Sequence, residues 1–414
     1  MSNPDHFDGR ETREPAERER DLFARLQAQL VHARTATPAF AALLADADTA
    51  AVTTREALAK LPVIRKSELL ERQKLARPFG GFSAVGWGAA CRRVFASPGP
   101  LYEPEGAQPD YYRLARALFA AGFRAGDLVH NTFSYHFTPA GSMMETAAHA
   151  LGCTVFPAGV GQTEQQLAAI ADLQPNAYVG TPSFLRILLD KADELGAKLS
   201  FTKAFVSGEA FPPVLRDAFA ARGINAFQAY ATADIGLIAY ETAAREGLVV
   251  DEDVLLEIVR PGTGDPLPPG EVGEVVVTTF NRDYPLIRFG TGDLSALMVG
   301  TSPCGRTNLR IRGWMGRADQ TTKVKGMFVH PGQIAQVARR HPELARVRLV
   351  VDNPDLNDRM TLMCEAVGGG SEALAEAVAD SVRELTKLRG EVAFLPMGSL
   401  ANDGKVIDDL RKYD

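Results

Sequence analysis

A carboxylate, a lysine and an arginine stand out as side chains able to handle a phosphorylated substrate. Asp293 lies in Leu286–Ser295, LIRFGTGDLS, which reads as a short apolar strand turning on Gly290 and Gly292 to present the acid. Glycine permits sharp backbone bends. A carboxylate there can accept hydrogen bonds from a vicinal diol, or simply bond its own turn. Lys405 follows Asp403-Gly404, and on a mobile turn it could bring positive charge to a phosphate; alone it would equally suit a solvated surface. Arg317 and Asp319 follow Gly316. The arginine suits a phosphate or ribose, and Asp319 suits a hinge. Glu209 in VSGEAFPP and Asp234 in AYATADIG follow predicted strands, as ligand-facing groups or loop caps. Tyr230 could stack on a ring or fill core. His136, in HNTFSYHFTPAG, sits at a strand end, although a lone histidine among aromatics is more often packing.

These groups need a scaffold, and residues 127–230 have its rhythm. Strands are predicted at Asp127–Phe133, Cys153–Phe156, Ala177–Val179, Ala204–Val206 and Asn225–Tyr230. Helices are predicted at Ser142–Leu151, from Thr163, from Pro182 and at Pro213–Arg222. Thr163–Gln166 fits a capping box, and Thr181-Pro182 places proline at a first helical position. Strand–helix alternation argues for an α/β chain with a mostly parallel, doubly wound sheet, whose ligands lie beyond the carboxyl ends of the strands. Val254–Arg260 and Gly273–Phe280 switch to period-two patterning and predict a β subdomain that includes LIRFGTGD. After Gly316 comes a small α+β unit, with helices at Pro331–Arg340 and about 372–388 and strands at Arg346–Val351, Thr361–Val367 and Glu391–Leu395. Residues 1–15 read as a loose tail, and Ala16–Ala36 as a helix with Leu22, Leu26, Leu30 and Val31 on one face. Thr53–Leu75 carries two helical pieces, with Ser67 a cap, and no chemistry is assigned to it.

A net charge of −6 leaves no basic footprint for nucleic acid. No apolar run is long enough to span a bilayer. The polar start, MSNPDHFDGRETREPAERERD, does not read as a secretory signal. Cys91, Cys153, Cys304 and Cys364 lie far apart, a poor pattern for metal or disulfides. A cytoplasmic protein is expected.

In order, HNTFSYHFTPAGSM, ALGCTVFPAG, QTEQQL, GTPSFLRIL, SGEAFP, EIVRPGTGDPLPPGEVGEVVVTTF, PLIRFGTGDLS, GRADQ, KGMFVHPGQI and GKVIDDLR resemble the phenylacetate–CoA ligase family of the adenylate-forming superfamily. The resemblance implies a large AMP-binding domain over 1–317 and a small mobile domain over 318–414. It also implies activation of an aromatic or arylalkanoic acid by ATP, with Mg²⁺, and transfer to coenzyme A. Asp293 would bind the ribose and Arg317 the ribose or phosphate. Ser207, Gly208, Glu209, Tyr230, Ala231 and Thr232 would surround the nucleotide, with Tyr230 on adenine. Asp234 would take magnesium, Asp319 would be the hinge, and Lys405 would promote adenylation. Tyr135, His136 and Thr138 would face the acid, and the protein would be a homodimer.

Two departures qualify the resemblance. The family's phosphate loop, S-S-G-T-T-G-K-P, corresponds here to Ser97–Pro104, SPGPLYEP, where Ser97 and Gly99 remain. Proline removes amide donors, and Glu103 would repel a triphosphate. The family's Cys/His cluster corresponds to Thr242, Val249, Ser302 and Cys304, so no zinc is expected. The alternative to a working ligase is a relative that binds AMP, an acyl-adenylate or an aryl acid without efficient ATP turnover. Another acceptor, such as an amine or a carrier thiol, is also compatible.

Overall fold

The structure, a computed structural model, describes residues 5–97, 101–260, 264–318, 320, 322–325, 327–329, 331–354, 358–401 and 405–411. The chain divides into two compact units, Met1–Met315 and Gly316–Asp414.

In the first unit, Thr154–Pro157, Leu128–Asn131, Ala177–Gly180, Lys203–Val206 and Asn225–Thr232 pair in that order, all parallel. Helices on the intervening segments, such as Thr163–Leu173, Pro182–Glu194 and Pro213–Ala221, cover the sheet. Burial on both faces explains why Ala177–Gly180 reads as a continuous apolar run. The sheet is less parallel than expected. Beyond Asn225–Thr232 it continues antiparallel through Gly236–Tyr240, Leu248–Val250, Arg310–Ile311 and Leu297–Met298. The β subdomain pairs Val254–Val259, Gly273–Thr279 and Phe289–Ser295 antiparallel, and Ile64–Arg65 adds parallel to the last.

Pro182–Glu194 buries Leu185, Leu188, Leu189 and Ala192 along one face, and the Thr181 hydroxyl accepts the Phe184 amide at 3.3 Å. Thr181→Ala should lower the unfolding free energy by about 1 kcal/mol in a urea titration; an unchanged midpoint would mean that this cap contributes nothing. The expected capping box at Thr163 does not form. Gln162 is the cap residue, with φ +51°, and the Gln166 amide turns away from the helix start. It donates to Gly159 O and Gly161 O at 2.9 and 2.7 Å, while its Oε1 meets His130 Nε2 at 2.8 Å. Buried tertiary partners outcompete the local bond. The Ser67 cap is likewise displaced, because the helix Lys66–Leu75 starts two residues earlier than a Ser67 cap requires, with Arg65 at the cap.

Residues 5–14 are docked rather than loose. Glu11 is fully buried, held by Arg116 and Arg306 (both 2.9 Å) and the Tyr240 hydroxyl (3.1 Å). Arg18 meets Glu252 at 2.9 Å. These partners lie more than a hundred residues away, so local pattern could not reveal them. Val31, expected on the core face of Pro15–Ala36, is 58% exposed.

Asp110 is a half-buried residue with one enclosed carboxyl oxygen. One oxygen accepts the Ala115 amide at 3.0 Å, while Oδ1 is buried with no partner among the described residues. Burial pushes its carboxyl up to about 7. A raised carboxyl favours the folded state only while protonated, so its contribution is complete below about pH 4 and is lost as pH rises to about 7. Each unit is worth about 1.4 kcal/mol. Asp110→Asn should flatten the pH dependence of stability between pH 4 and 7 and raise stability above it; an unaltered slope would show that Asp110 does not titrate in that range.

The second unit orders Glu391–Leu395, Arg359–Ala366, Leu344–Asp352 and Ile407–Asp409 in one sheet, with Pro331–Arg340 and Glu372–Thr386 as its helices. The Ile407–Asp409 strand and a Thr322–Val324/Met327–Val329 hairpin were not expected from the sequence.

Candidate functional site

The parallel strands Leu128–Asn131, Ala177–Gly180, Lys203–Val206 and Asn225–Thr232 end side by side, so the segments that follow them share one edge of the sheet. The Ser207 hydroxyl donates to Ala229 O at 3.0 Å. Gly208 has φ +86°, which favours glycine. Glu209 Oε1 accepts the Ser183 amide at 2.6 Å, a loop-bracing role at the start of the preceding helix, Pro182–Glu194. Ala231 and Thr232 finish the Asn225–Thr232 strand, and the Thr232 hydroxyl accepts the Ile235 amide at 3.2 Å.

Asp293 is not at a turn tip. It lies within Phe289–Ser295, where Thr291–Asp293 bulge against the single Val275 of the partner strand. Gly292, at φ +76°, makes the bulge possible. A bulge re-aims a side chain, which is how a strand residue comes to face the site. The Tyr230 hydroxyl lies 2.9 Å from Asp293 Oδ2 and 3.0 Å from Thr291 Oγ1, and the Trp314 indole N–H donates to Oδ1 at 3.1 Å. Tyr230, at 9% exposure, therefore reaches Asp293 through its hydroxyl while its ring packs in the core. Trp314 carries no signal of its own in the sequence, because it stands just outside the GRADQ motif that begins at Gly316.

Four residues beyond Tyr230, Asp234 has a fully enclosed side chain whose Oδ2 lies 2.6 Å from Lys66 Nζ. Its Oδ1 is buried with no hydrogen-bond partner among the described residues. That unsatisfied oxygen is the atom of Asp234 that would hold a Mg²⁺ arriving with ATP, whose charge would neutralise phosphate. Lys66, to which no chemistry was assigned, is the second residue that sequence reasoning missed. Its signal was weak, a lysine at a helix start beside other charges.

The segment expected to be a phosphate loop is a hairpin. Cys91–Ser97 and Leu101–Gly106 pair antiparallel; Gly99 lies outside the described residues, as does Asp319. Gln73 clamps the hairpin by bonding both the amide and the carbonyl of Tyr102 at 2.9 Å. The Ala96 amide donates to Phe137 O at 2.8 Å, tying the hairpin to the strand-end edge. Glu103 points inward, at 1% exposure, and accepts the Ser97 amide at 3.3 Å together with the Ser97 hydroxyl. Burial, then the negative charge of Asp234, pushes the Glu103 carboxyl up to about 8, against the pull of Ser97 and Lys66. Its carboxyl is engaged with Ser97 inside the hairpin, so it fills the space there instead of being held out toward solvent.

Tyr135 is half-buried and directs its hydroxyl to Glu145 Oε2 at 2.8 Å, while accepting from Asn131 Nδ2 at 2.8 Å. His136 is exposed and Thr138 half-buried. Near Thr242, Cys304 Sγ lies 3.0 Å from Ser302 Oγ. Burial raises this thiol, but hydrogen bonds from Ser302, Thr242 and Arg306 outweigh it and hold it at about 7. Among the described residues no group of three or more His, Cys, Asp or Glu side chains is placed to hold a metal. No helix among them is long and apolar enough to cross a membrane. Arg317 and Lys405 belong to the second unit and are exposed; Lys405 Nζ lies 3.3 Å from Asp408 Oδ1.

Comparison with known proteins adds to this geometry. A family model described as AMP-binding enzyme matches residues 110–281. The chain is 31% identical to a phenylacetate–coenzyme A ligase of Thermus thermophilus over 82% of this chain and 80% of that one. It is 32% identical to a ligase of the same name from Aromatoleum evansii, over 74% and 72% of the two chains. Among solved structures, 2-hydroxyisobutyryl-CoA ligase in complex with 2-HIB-AMP and CoA superposes with a TM-score of 0.74 at 22% identity, covering 100% of this chain and 95% of that one. That likeness concerns the fold.

Proposed function

The chain belongs to the phenylacetate–coenzyme A ligase family of AMP-binding enzymes, and from that premise we propose that it activates an aromatic or arylalkanoic acid. In the first step the carboxylate oxygen attacks the α-phosphorus of ATP and pyrophosphate leaves. In the second, the coenzyme A thiol gives up its proton, attacks the acyl carbon and expels AMP. The observation that carries this reading is the Asp293 carboxylate, held by Tyr230 and Trp314 on a glycine bulge. Held from both sides, it is preorganised to accept the ribose hydroxyls.

Around it the residues divide by task. Ser207, Gly208, Glu209, Ala231 and Thr232 border the nucleoside, with Tyr230 beneath. Asp234, through its unsatisfied oxygen, would hold the Mg²⁺ that accompanies ATP. Tyr135, His136 and Thr138 lie on the strand-end segment that would meet the acid. In the second unit, Arg317 would reach ribose or phosphate and Lys405 would neutralise charge developing in the first step. Asp319 would let the small domain, 318–414, change position between steps. A homodimer in the cytoplasm completes the proposal.

Incubation with ATP, CoA and a panel of aryl, arylalkanoic and short-chain acids, followed by mass spectrometry, tests substrate class and acceptor together. Aryl-CoA thioesters are the expected products. Products only from short-chain acids would overturn the aromatic assignment, and acyl-adenylate accumulating unchanged by CoA would overturn the acceptor.

A further inference from the structure

The Ser97–Glu103 pair is unusual for a site that must receive a charged triphosphate. Ser97 is 4% exposed, and both its amide and its hydroxyl face the Glu103 carboxyl. These are the two donors that a phosphate oxygen would use. An amide and a hydroxyl of one residue that point to the same spot can together hold an anionic oxygen, and here a side chain from the opposite hairpin strand takes both. Beside it, the Lys66 ammonium bonds the enclosed Asp234 carboxylate, whose other oxygen has no partner among the described residues. An unsatisfied, enclosed oxygen is costly, and it points to a ligand component that completes the cluster. The Leu101–Gly106 strand is also clamped: Gln73 fixes Tyr102, next to Glu103, by two hydrogen bonds.

We infer that Glu103 is an internal occupant of the phosphate cradle, a specificity-determining residue that ATP must displace and AMP need not. The inference rests on the reading of the chain as an AMP-forming ligase and deepens it by dividing the nucleotide site in two. The half around Asp293 stands ready for an adenosine monophosphate moiety. The half at Ser97 is occupied by the protein itself, so binding of the β- and γ-phosphates carries the cost of moving a buried carboxyl out of two hydrogen bonds. The result is selectivity for adenylates over the triphosphate. No bond is made or broken by Glu103; it acts through the donors of Ser97.

Calorimetric titration of AMP and of MgATP, without acid substrate, into wild type, Glu103→Ala and Glu103→Gln tests this directly. Glu103→Ala should tighten MgATP about tenfold or more while AMP affinity stays within about twofold, a tenfold change being about 1.4 kcal/mol. Glu103→Gln keeps an acceptor for Ser97 and should give a smaller gain in the same direction, which serves the test if the alanine variant does not fold. Adding Ser97→Ala to Glu103→Ala should return MgATP affinity toward wild type, because the freed donors are then gone. A purely structural role for Glu103 would not produce that reversal. Unchanged or weaker MgATP binding with AMP binding intact overturns the inference and leaves the ligase reading standing. Equal tightening of both nucleotides also overturns it. Failure of wild type to bind either nucleotide overturns the ligase reading, and this inference with it.

Discussion

Lys405→Ala is expected to slow adenylate formation by about 10²- to 10³-fold, the range seen when one preorganised electrostatic donor is removed, while thioester formation from supplied acyl-AMP stays within a few-fold of wild type. The reason is where charge develops. In the first step a carboxylate approaches a polyphosphate, and negative charge accumulates on the α-phosphate and the leaving pyrophosphate. In the second the attacking group is a single thiolate and the leaving group is AMP. Lys405 is exposed in the second unit, with Asp408 its neighbour at 3.3 Å, so its loss leaves no buried hole and should not unfold the protein. Separate assays of the two half-reactions decide the matter. Equal loss in both would remove Lys405 from the adenylation step.

Asp293→Ala should weaken AMP binding by about 10- to 100-fold, since hydrogen bonds to a charged group are worth about 1.5–3 kcal/mol. It should also cost stability, because the Tyr230 hydroxyl and the Trp314 indole both lose an acceptor in a site where Asp293 is only 8% exposed. Asp293→Asn keeps the volume and one acceptor oxygen, so it separates the two effects: stability should largely return, and affinity only in part. AMP affinity equal to wild type in both variants would take the ribose away from Asp293.

The parallel half of the sheet was legible because its strands are short, apolar and regularly separated by helices, a pattern that survives in one dimension. The antiparallel extension was not, since Leu297–Met298 and Arg310–Ile311 are two-residue strands with no periodicity to read. The docked N-terminal segment was illegible for a different reason. Asp8, Arg10 and Glu11 look like solvated charge until Arg116, Asp253 and Arg306 arrive from distant parts of the chain. At the site, Asp293 could be picked out from its glycines, but as a turn residue, because a bulge and a turn both ask for glycine. Lys66 could not be picked out at all. Its meaning comes from Asp234, 168 residues away. Glu103 was visible only as a departure from the family's phosphate loop; its hydrogen bonds to Ser97 required the hairpin.

In the proposed function, the adenosine half of this site serves an ATP-dependent activation of a carboxylic acid. Pyrophosphate release by the wild-type protein, followed over a panel of acids with and without CoA, tests it most directly. Acid-dependent release, matched by an equal amount of AMP once CoA is present, is the predicted result. Absence of release with every acid, at ATP concentrations that saturate binding, would contradict it.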